Sequence, residues 1–169
     1  MRQLDKTVPA SGLDARSVWS RVEADPDFVR AGTVLLYMSI GSEVPTSEFI
    51  AEWKARKNLV IPKVSGEVLE LYRYDESSLV EGYHGILEPS SDAVRVDPSE
   101  IEYAIIPGVA FAMSEGKWVR MGRGKGYYDR LLPHLKCPCV GVAWSYRHLE
   151  NIPTDPWDRK LDRVFFDND

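Results

Sequence analysis

Cysteine and histidine are scarce in this chain of 169 residues, which contains two of the former and three of the latter. Cys137 and Cys139 flank Pro138, a spacing too short for an easy disulfide and with too few partners for a structural zinc site. We interpret both as ordinary small residues that enter a strand. The histidines are scattered along the chain at 84, 134 and 148, so neither a nucleophilic triad nor a zinc site is predicted.

Long apolar runs and an excess of basic residues are also missing. The longest nearly apolar run, residues 103–113, contains Pro107 and Gly108 and is far shorter than the roughly 20 residues that cross a bilayer. The chain has 21 Lys and Arg against 26 Asp and Glu, which argues against a general binder of nucleic acid or anionic membranes. No apolar signal-peptide core is present near the N-terminus, so we expect a cytoplasmic protein.

The length and composition predict one soluble domain. A chain of 169 residues with 44% hydrophobic and 28% charged residues lies in the ordinary globular range. We expect residues 1–169 to form a single unit, with residues 1–12 irregular or flexible. We also expect a monomer.

Helical stripes alternate with short apolar runs typical of buried strands. The strands are predicted at 33–38, 58–62, 68–74, 103–107, 139–143 and 164–166, and the half-exposed pattern of 68–74 is consistent with a sheet edge. Helical stripes begin at Ala15, at Thr46 and at Tyr128. Thr46 or Ser47 is placed to cap the second helix, and Pro133 should shorten or kink the third. This alternation predicts an α/β sandwich around a mostly parallel sheet, which binds ligands at the carboxyl ends of its strands.

Residues 120–130 carry the strongest chemical signal. Gly122, Gly124 and Gly126 alternate with cations in a segment that we call the glycine loop (residues 122–126). Alternate glycines let backbone N–H groups point toward one anion, and the following helix adds its positive end. Four cations within an acidic protein favour a polyanionic small ligand such as a nucleoside triphosphate, and Asp129 could hold Mg²⁺ beside its phosphates. The alternative is a flexible basic surface loop.

The segment 120–130 resembles the signature of the 5-formyltetrahydrofolate cyclo-ligases, also called 5,10-methenyltetrahydrofolate synthetases. It matches neither the P-loop nor the dinucleotide fingerprint. Further matching segments follow the order of that family, and the resemblance covers roughly residues 15–167. They are residues 34–37, 43–46, 61–64, 85–89, 107–111 and 158–162.

The resemblance implies a single-domain, three-layer, Rossmann-like sandwich and an ATP-dependent ligase. Such an enzyme converts 5-formyltetrahydrofolate into 5,10-methenyltetrahydrofolate and releases ADP and phosphate. In the family's scheme the formyl oxygen attacks the γ-phosphate of ATP, N10 adds to the activated carbon, and phosphate leaves. It implies small-molecule partners only, ATP and the folate, with Mg²⁺ as the cofactor.

The resemblance also assigns roles to single residues. Lys125 would be a point charge on the phosphates, and Arg123 would bridge the γ-phosphate and the formyl oxygen, although a simple phosphate clamp is its alternative. The Mg²⁺ ligands would be Asp129 and Asp158, and the alternative for Asp158 is a helix cap or a surface ion pair. The ATP contacts would be Arg120, Met121, Gly122, Arg123, Gly124, Lys125, Gly126, Tyr127 and Tyr128.

The folate contacts implied by the resemblance are Met38, Glu43, His84, Arg123 and Tyr127. Glu43 would accept hydrogen bonds from the pterin or from N10, unless it is only a charged loop residue. Met38 is equally consistent with core at a strand end, and a lone loop histidine such as His84 is more often merely solvated. Tyr128 should face the sheet, which leaves Tyr127 toward the ligand.

Two departures from the family pattern bear on the nucleotide site. Relatives usually open with a basic helix that contacts ATP, whereas only Arg2 and Lys6 precede Pro9 here. Relatives often have Asp where this chain has Ala112, for which Glu115 is a candidate replacement. The alternative function is a catalytically weak folate- or nucleotide-binding module of the same fold. A small RNA-binding protein is a third interpretation, which the net charge of −5 disfavours.

Overall fold

The computed structural model describes residues 13–82, 85–155 and 159–169. The predictions for residues 1–12, His84 and Asp158 therefore lie outside the described residues. Four α-helices are described: α1 (Ala15–Ala24), α2 (Pro26–Arg30), α3 (Ser47–Trp53) and α4 (Tyr127–Leu131). The strands are β1 (Thr33–Leu35), β2 (Asn58–Ser65), β3 (Val68–Arg73), β4 (Leu79–Glu81), β5 (Leu87–Pro89), β6 (Arg95–Val96), β7 (Tyr103–Ile106), β8 (Ala110–Ser114), β9 (Lys117–Met121), β10 (Cys139–Ala143) and β11 (Arg163–Phe166).

A seven-stranded sheet in the order β11-β10-β7-β1-β2-β3-β6 forms the middle layer. The five strands from β11 to β2 are parallel, and β3 and β6 continue the sheet antiparallel. The prediction of a mostly parallel sheet is thus confirmed. The half-exposed strand β3 does not lie at the edge, because the two-residue strand β6 pairs with its outer side.

Each face of the sheet is covered by its own hydrophobic cluster, which confirms the three-layer arrangement. Val34 of β1 packs in the cluster under α1 and α3, while the next residue, Leu35, packs in the cluster that includes Leu131 of α4. Successive side chains of a strand point to opposite faces. The continuous apolar run in β1 is therefore the pattern of a strand buried on both sides.

Helix boundaries follow from local chemistry. Asp14 caps α1 by accepting a hydrogen bond from the Arg16 N–H at 2.9 Å. The last helix stops where proline was predicted to shorten it: α4 ends at Leu131 and Pro133 lies in a 3₁₀ turn, Leu132–His134. At α3 the helix begins at Ser47, but the predicted cap does not form, because Thr46 makes no side-chain capping bond. Its Oγ1 instead accepts from the Ser39 N–H at 3.1 Å.

Two hairpins, β4–β5 and β8–β9, were not predicted. The turn of the second places Glu115 at φ 52° and Gly116 at φ 79°. Glu115 lies in this turn, at the far end of the hairpin from the glycine loop. Its carboxylate forms an ion pair with Nζ of Lys160 at 3.3 Å. Glu115 is thus separated along the hairpin from the buried Ala112, and its role as a replacement carboxylate stays a prediction. Among the described residues, no helix is long and apolar enough to cross a membrane.

Candidate functional site

The point where the strand order reverses lies between β1 and β7. From β1 the chain builds the sheet in one direction through β2, whereas β7, β10 and β11 extend it in the other. Ligands of open α/β sheets bind outside the carboxyl ends of the strands at such a point. A small cleft opens there, which we call the switch-point cleft. It is lined by Tyr37, Ser42, Glu43, Val44, Pro107, Gly108, Val142, Ala143, Trp144 and Arg147.

The loop after β1 that carries Glu43, residues 39–45, is held from both sides of that residue; we call it the Glu43 loop. On one side, the Trp144 indole N–H donates to the Ser42 carbonyl at 3.0 Å. On the other, the Tyr37 hydroxyl donates to the Val44 carbonyl at 2.7 Å. Burial raises the pKa of Tyr37 well above its usual value, and the negative charge of Glu43 adds to that shift. Tyr37 therefore remains a neutral donor at physiological pH.

The two carboxylate oxygens of Glu43 face different partners. Oε2 accepts from the Ile40 N–H at 2.9 Å, which closes a tight turn. Oε1 lies 3.9 Å from Nη2 of Arg123, which belongs to the glycine loop. The side chain of Glu43 is 15% exposed and that of Arg123 44% exposed. The fold thus brings together two residues that were predicted for folate and phosphate binding, and it leaves Arg123 accessible.

The glycine loop connects the end of β9 to the start of α4. Gly124 has φ 91° and Gly126 has φ 72°, conformations that side-chain-bearing residues rarely adopt. A Cβ on Gly122 would lie 2.8 Å from Nη2 of Arg120, so the loop passes close over that guanidinium. Glycine is therefore required by the backbone conformation at 124 and 126, and at 122 it leaves room for the Arg120 guanidinium. Helix α4 has only five residues, whereas the apolar stripe predicted a helix as far as Leu135. Its dipole is therefore weaker than that of the predicted helix.

Arg120 is more buried than its predicted role as an ATP contact suggests. Its side chain is 8% exposed, and it donates to the Pro107 carbonyl at 3.0 Å and to Asp129 at 3.3 Å. The guanidinium also lies 5.3 Å from the centre of the Tyr128 ring. These contacts tie the start of the glycine loop to the carboxyl end of β7. Burial lowers the pKa of Arg120, with Asp129 opposing that shift.

The paired tyrosines divide as predicted with respect to the sheet. Tyr128 packs against the cluster beneath α4, and burial raises its pKa. Tyr127 is only half-buried, and its hydroxyl lies 3.4 Å from the Gly66 carbonyl in the β2–β3 turn. Arg130 donates to the neighbouring Glu67 carbonyl at 2.6 Å and to the Lys125 carbonyl at 2.9 Å. The turn between β2 and β3 therefore supports the glycine loop from outside.

The remaining predicted residues have simpler surroundings. Lys125 is exposed, Met121 ends β9, and Met38 is half-buried against the cluster under α1 and α3. The Asp129 carboxylate is 58% exposed and paired with Arg120. Within residues 13–82, 85–155 and 159–169, no group of three His, Cys, Asp or Glu side chains is arranged to hold a metal.

One residue of the cleft was missed by sequence reasoning. Arg147 is 4% exposed and lies in a 3₁₀ turn, Ser145–Arg147, just after the carboxyl end of β10. It donates to the Val109 carbonyl at 3.0 Å and to the Ser42 hydroxyl. The rule that drew attention to Glu43, a charged residue soon after a buried parallel strand, applies equally to Arg147.

Comparison with known proteins gives a consistent result. The 5-formyltetrahydrofolate cyclo-ligase family model matches residues 4–167. The chain is 34% identical over 168 residues to a probable 5-formyltetrahydrofolate cyclo-ligase of Schizosaccharomyces pombe, covering 88% of this chain and 81% of that protein. It is 31% identical over 141 residues to the 5-formyltetrahydrofolate cyclo-ligase of Haemophilus influenzae, covering 78% of this chain and 74% of that one.

Two solved structures share the fold. The 5,10-methenyltetrahydrofolate synthetase of Aquifex aeolicus superposes with a TM-score of 0.79 at 37% identity, covering 92% of this chain and 78% of that one. The 5,10-methenyltetrahydrofolate synthetase of Mycoplasma pneumoniae superposes with a TM-score of 0.72 at 26% identity, covering 97% of this chain and 94% of that one.

Proposed function

The chain belongs to the 5-formyltetrahydrofolate cyclo-ligase family, and we propose that it uses ATP to drive its reaction at the junction of the glycine loop and the switch-point cleft. The enzyme converts 5-formyltetrahydrofolate into 5,10-methenyltetrahydrofolate. The observation that carries the proposal is the approach of Arg123 to Glu43. This contact brings the glycine loop, which is suited to phosphate, next to the switch-point cleft, which is suited to the folate.

The glycine loop binds the triphosphate. Arg123 and Lys125 are exposed cations on a backbone whose positive φ angles require glycine at 124 and 126. Lys125 acts as a mobile point charge on the phosphates, while the planar fork of Arg123 can hold two oxygens in one geometry. The loop is braced by Arg120 from beneath and by Arg130 from the side. Little reorganisation is then needed when charge develops during phosphoryl transfer.

Glu43 binds the folate. Its carboxylate accepts hydrogen bonds from N–H groups of the pterin or from N10, and its backbone is fixed by Tyr37 and Trp144. Met38 and Tyr127 supply apolar surface beside the ring. When both substrates bind, the ion pair of Arg123 with Glu43 is exchanged for contacts with phosphate and folate. Arg123 then lies between the γ-phosphate and the formyl oxygen.

The chemistry consists of a phosphoryl transfer followed by an addition–elimination at the formyl carbon. The formyl oxygen attacks the γ-phosphorus, and the bond from that phosphorus to the oxygen of ADP breaks. N10 then adds to the formyl carbon, loses its proton, and the carbon–oxygen bond breaks to release phosphate. Because an amide oxygen is a poor leaving group and a phosphate a good one, the protein's contribution is alignment and charge neutralisation.

Mg²⁺ fits the residues that are present. Mg²⁺ in nucleotide sites is usually held by one or two carboxylates together with substrate phosphates, not by an all-protein cage. Asp129 is exposed in the first turn of α4, directly after the glycine loop, and is suited to that part. The ion would neutralise phosphate charge. Asp158 is the second ligand proposed from the family pattern.

The proposal is tested by mixing the protein with Mg-ATP and 5-formyltetrahydrofolate. The near-ultraviolet absorbance of the methenyl product and the release of ADP should increase together in a 1:1 ratio. Arg123→Lys, which keeps the charge but loses the fork, should lower kcat about 10²-fold or more. ADP release that does not depend on folate, or a missing methenyl signal, would refute ATP-driven cyclisation.

A further inference from the structure

A buried arginine connects the two loops that meet at the switch-point cleft. Arg147 is 4% exposed and has no role in the proposed chemistry. Its guanidinium donates to the Ser42 hydroxyl in the Glu43 loop and, through Nη1, to the Val109 carbonyl after β7 at 3.0 Å. The partners are separated from Arg147 by 105 and 38 residues in sequence. The donors of a guanidinium are fixed in one plane, so Arg147 can hold both acceptors in fixed relative positions.

The second partner extends this connection to the glycine loop. The Val109 N–H donates to the Met121 carbonyl at 2.7 Å, and Met121 is the last residue of β9 before Gly122. Ser42 is the residue immediately before Glu43. A continuous path of hydrogen bonds therefore runs from the Glu43 loop through Arg147 and Val109 to the start of the glycine loop.

We propose that Arg147 is a positioning residue that fixes the Glu43 loop relative to the carboxyl end of β7, and so sets where the folate binds. The proposal rests on the folate-binding role proposed for Glu43. Trp144 and Tyr37 hold backbone carbonyls of the same loop, at Ser42 and Val44. Arg147 differs because it holds a side chain of that loop and a second loop at once. Misplacement of a binding group by about 1 Å can cost 10²-fold in rate.

The test measures folate binding without ATP, together with steady-state kinetics, for Ser42→Ala and Arg147→Lys. Each change removes the bond between the guanidinium and the hydroxyl, so each should raise the folate Kd and KM about tenfold. The ATP KM should stay within about twofold, because the backbone bond from Val109 to Met121 is retained. Ser42→Thr keeps a hydroxyl and should restore most of the folate affinity.

The double variant separates positioning from general stability. Because both changes break the same bond, the folate Kd of Ser42→Ala with Arg147→Lys should be no higher than that of the worse single variant. Ser145→Ala is the matched control, since this serine lies in the same 3₁₀ turn and its hydroxyl makes no hydrogen bond among the described residues. Its folate Kd should equal that of the unchanged protein.

The outcomes separate this proposal from the proposed function. If Glu43→Gln leaves the folate Kd unchanged, the folate site is not at Glu43 and the proposed function fails with respect to that residue. If Glu43→Gln weakens folate binding while Ser42→Ala does not, the role of Arg147 is refuted. It is equally refuted if the two single effects multiply in the double variant, or if folate and ATP parameters change by the same factor.

Discussion

Lys125 and Arg123 have the same charge but are held differently. Arg123 lies 3.9 Å from Glu43 and so has a partner before any ligand binds. Lys125 is exposed, and among the residues that the structure describes its one hydrogen bond is from Arg130 to its backbone carbonyl, at 2.9 Å. A flexible ammonium on an anchored backbone can follow a phosphate as its charge changes. Lys125 should therefore matter for nucleotide use more than for folate binding.

Lys125→Ala should lower kcat/KM for ATP by about 10²-fold or more, because a charge-stabilising group is lost from the phosphates. The folate Kd measured without ATP should not change. Lys136→Ala is the control, since it removes one exposed lysine of the same charge from another loop. Near-normal ATP kinetics of Lys125→Ala, or an equal loss in Lys136→Ala, would contradict the role assigned to Lys125.

The proposed role of Asp129 as a Mg²⁺ ligand can be tested by changing this single carboxylate. Asp129→Asn should raise the Mg²⁺ concentration needed for half-maximal activity about tenfold or more, because a hard anionic oxygen becomes a neutral amide. Folate binding measured without ATP and Mg²⁺ should be unaffected. Glu115→Gln, at the exposed hairpin turn, removes a carboxylate without changing the Mg²⁺ requirement. If the Mg²⁺ requirement of Asp129→Asn is unchanged, Asp129 is not a Mg²⁺ ligand, and the ion pair with Arg120 is the role that remains for it.

At the scale of elements, patterns within a segment were predictable and contacts between segments were not. The apolar residues of β10 predicted its bounds, and Pro133 predicted the early end of α4. The β8–β9 hairpin was missed because its turn places Glu115 at φ 52°, whereas Asn-Gly and Asp-Gly are the usual signals. The position of Arg147 after a buried strand was visible in the sequence, but its hydrogen bond to Ser42, 105 residues away, was not.

The β8–β9 hairpin reaches the sheet through close packing of Phe111 on glycine. A Cβ on Gly141 of β10 would lie 2.6 Å from Cε1 of Phe111 and 3.3 Å from Cδ1 of Leu161. A Cβ on Gly108, at the switch-point cleft, would lie 2.7 Å from Cζ of the same ring. Glycine at both positions therefore lets one aromatic ring join the hairpin to β10 and to the loop after β7.

Gly141→Ala should lower the free energy of unfolding by about 1–3 kcal/mol, the usual cost of overpacking a dense core. Urea unfolding monitored by circular dichroism measures it. Gly32→Ala is the control, because Gly32 is exposed and its Cβ would meet a single atom, Oε1 of the exposed Glu102, at 3.2 Å. That change should alter stability by less than about 1 kcal/mol, since alanine also restricts the unfolded chain. Equal stabilities of the two variants would rule out the proposed packing constraint.

At the scale of the whole molecule, the reversal of strand order explains why distant segments meet. Glu43 follows β1, Arg123 follows β9, and Arg147 follows β10, yet all three lie near the carboxyl ends of β1, β7 and β10. The net charge of −5 belongs to the whole chain, whereas the glycine loop carries two cations, Arg123 and Lys125, of which Arg123 lies beside Glu43 in this region. An acidic protein can therefore present a local site for a polyanion.

Buried tyrosines make the whole fold sensitive to alkaline pH. Burial raises the pKa values of Tyr37, Tyr103 and Tyr128, and for Tyr103 the hydrogen bond to Asp25 at 2.8 Å adds to the effect. In the unfolded chain these groups ionise near pH 10. Below that pH the tyrosines are protonated in both the folded and the unfolded protein, so their contribution to the free energy of unfolding is fully present. Above it the unfolded state binds fewer protons than the folded state, so stability falls as pH rises.

We expect the free energy of unfolding to fall above pH 10, by up to about 1.4 kcal/mol per pH unit for each tyrosine that stays protonated in the fold. Absorbance at 295 nm should show fewer ionised tyrosines at pH 11 in the folded protein than in guanidinium, where all eight titrate. Tyr103→Phe should destabilise the protein at neutral pH. It should also make the free energy of unfolding fall less steeply above pH 10, because the folded and unfolded states then differ by one tyrosine proton fewer. If all eight ionise near pH 10 while the protein stays folded, or if Tyr103→Phe leaves the slope unchanged, burial does not hold these phenols neutral.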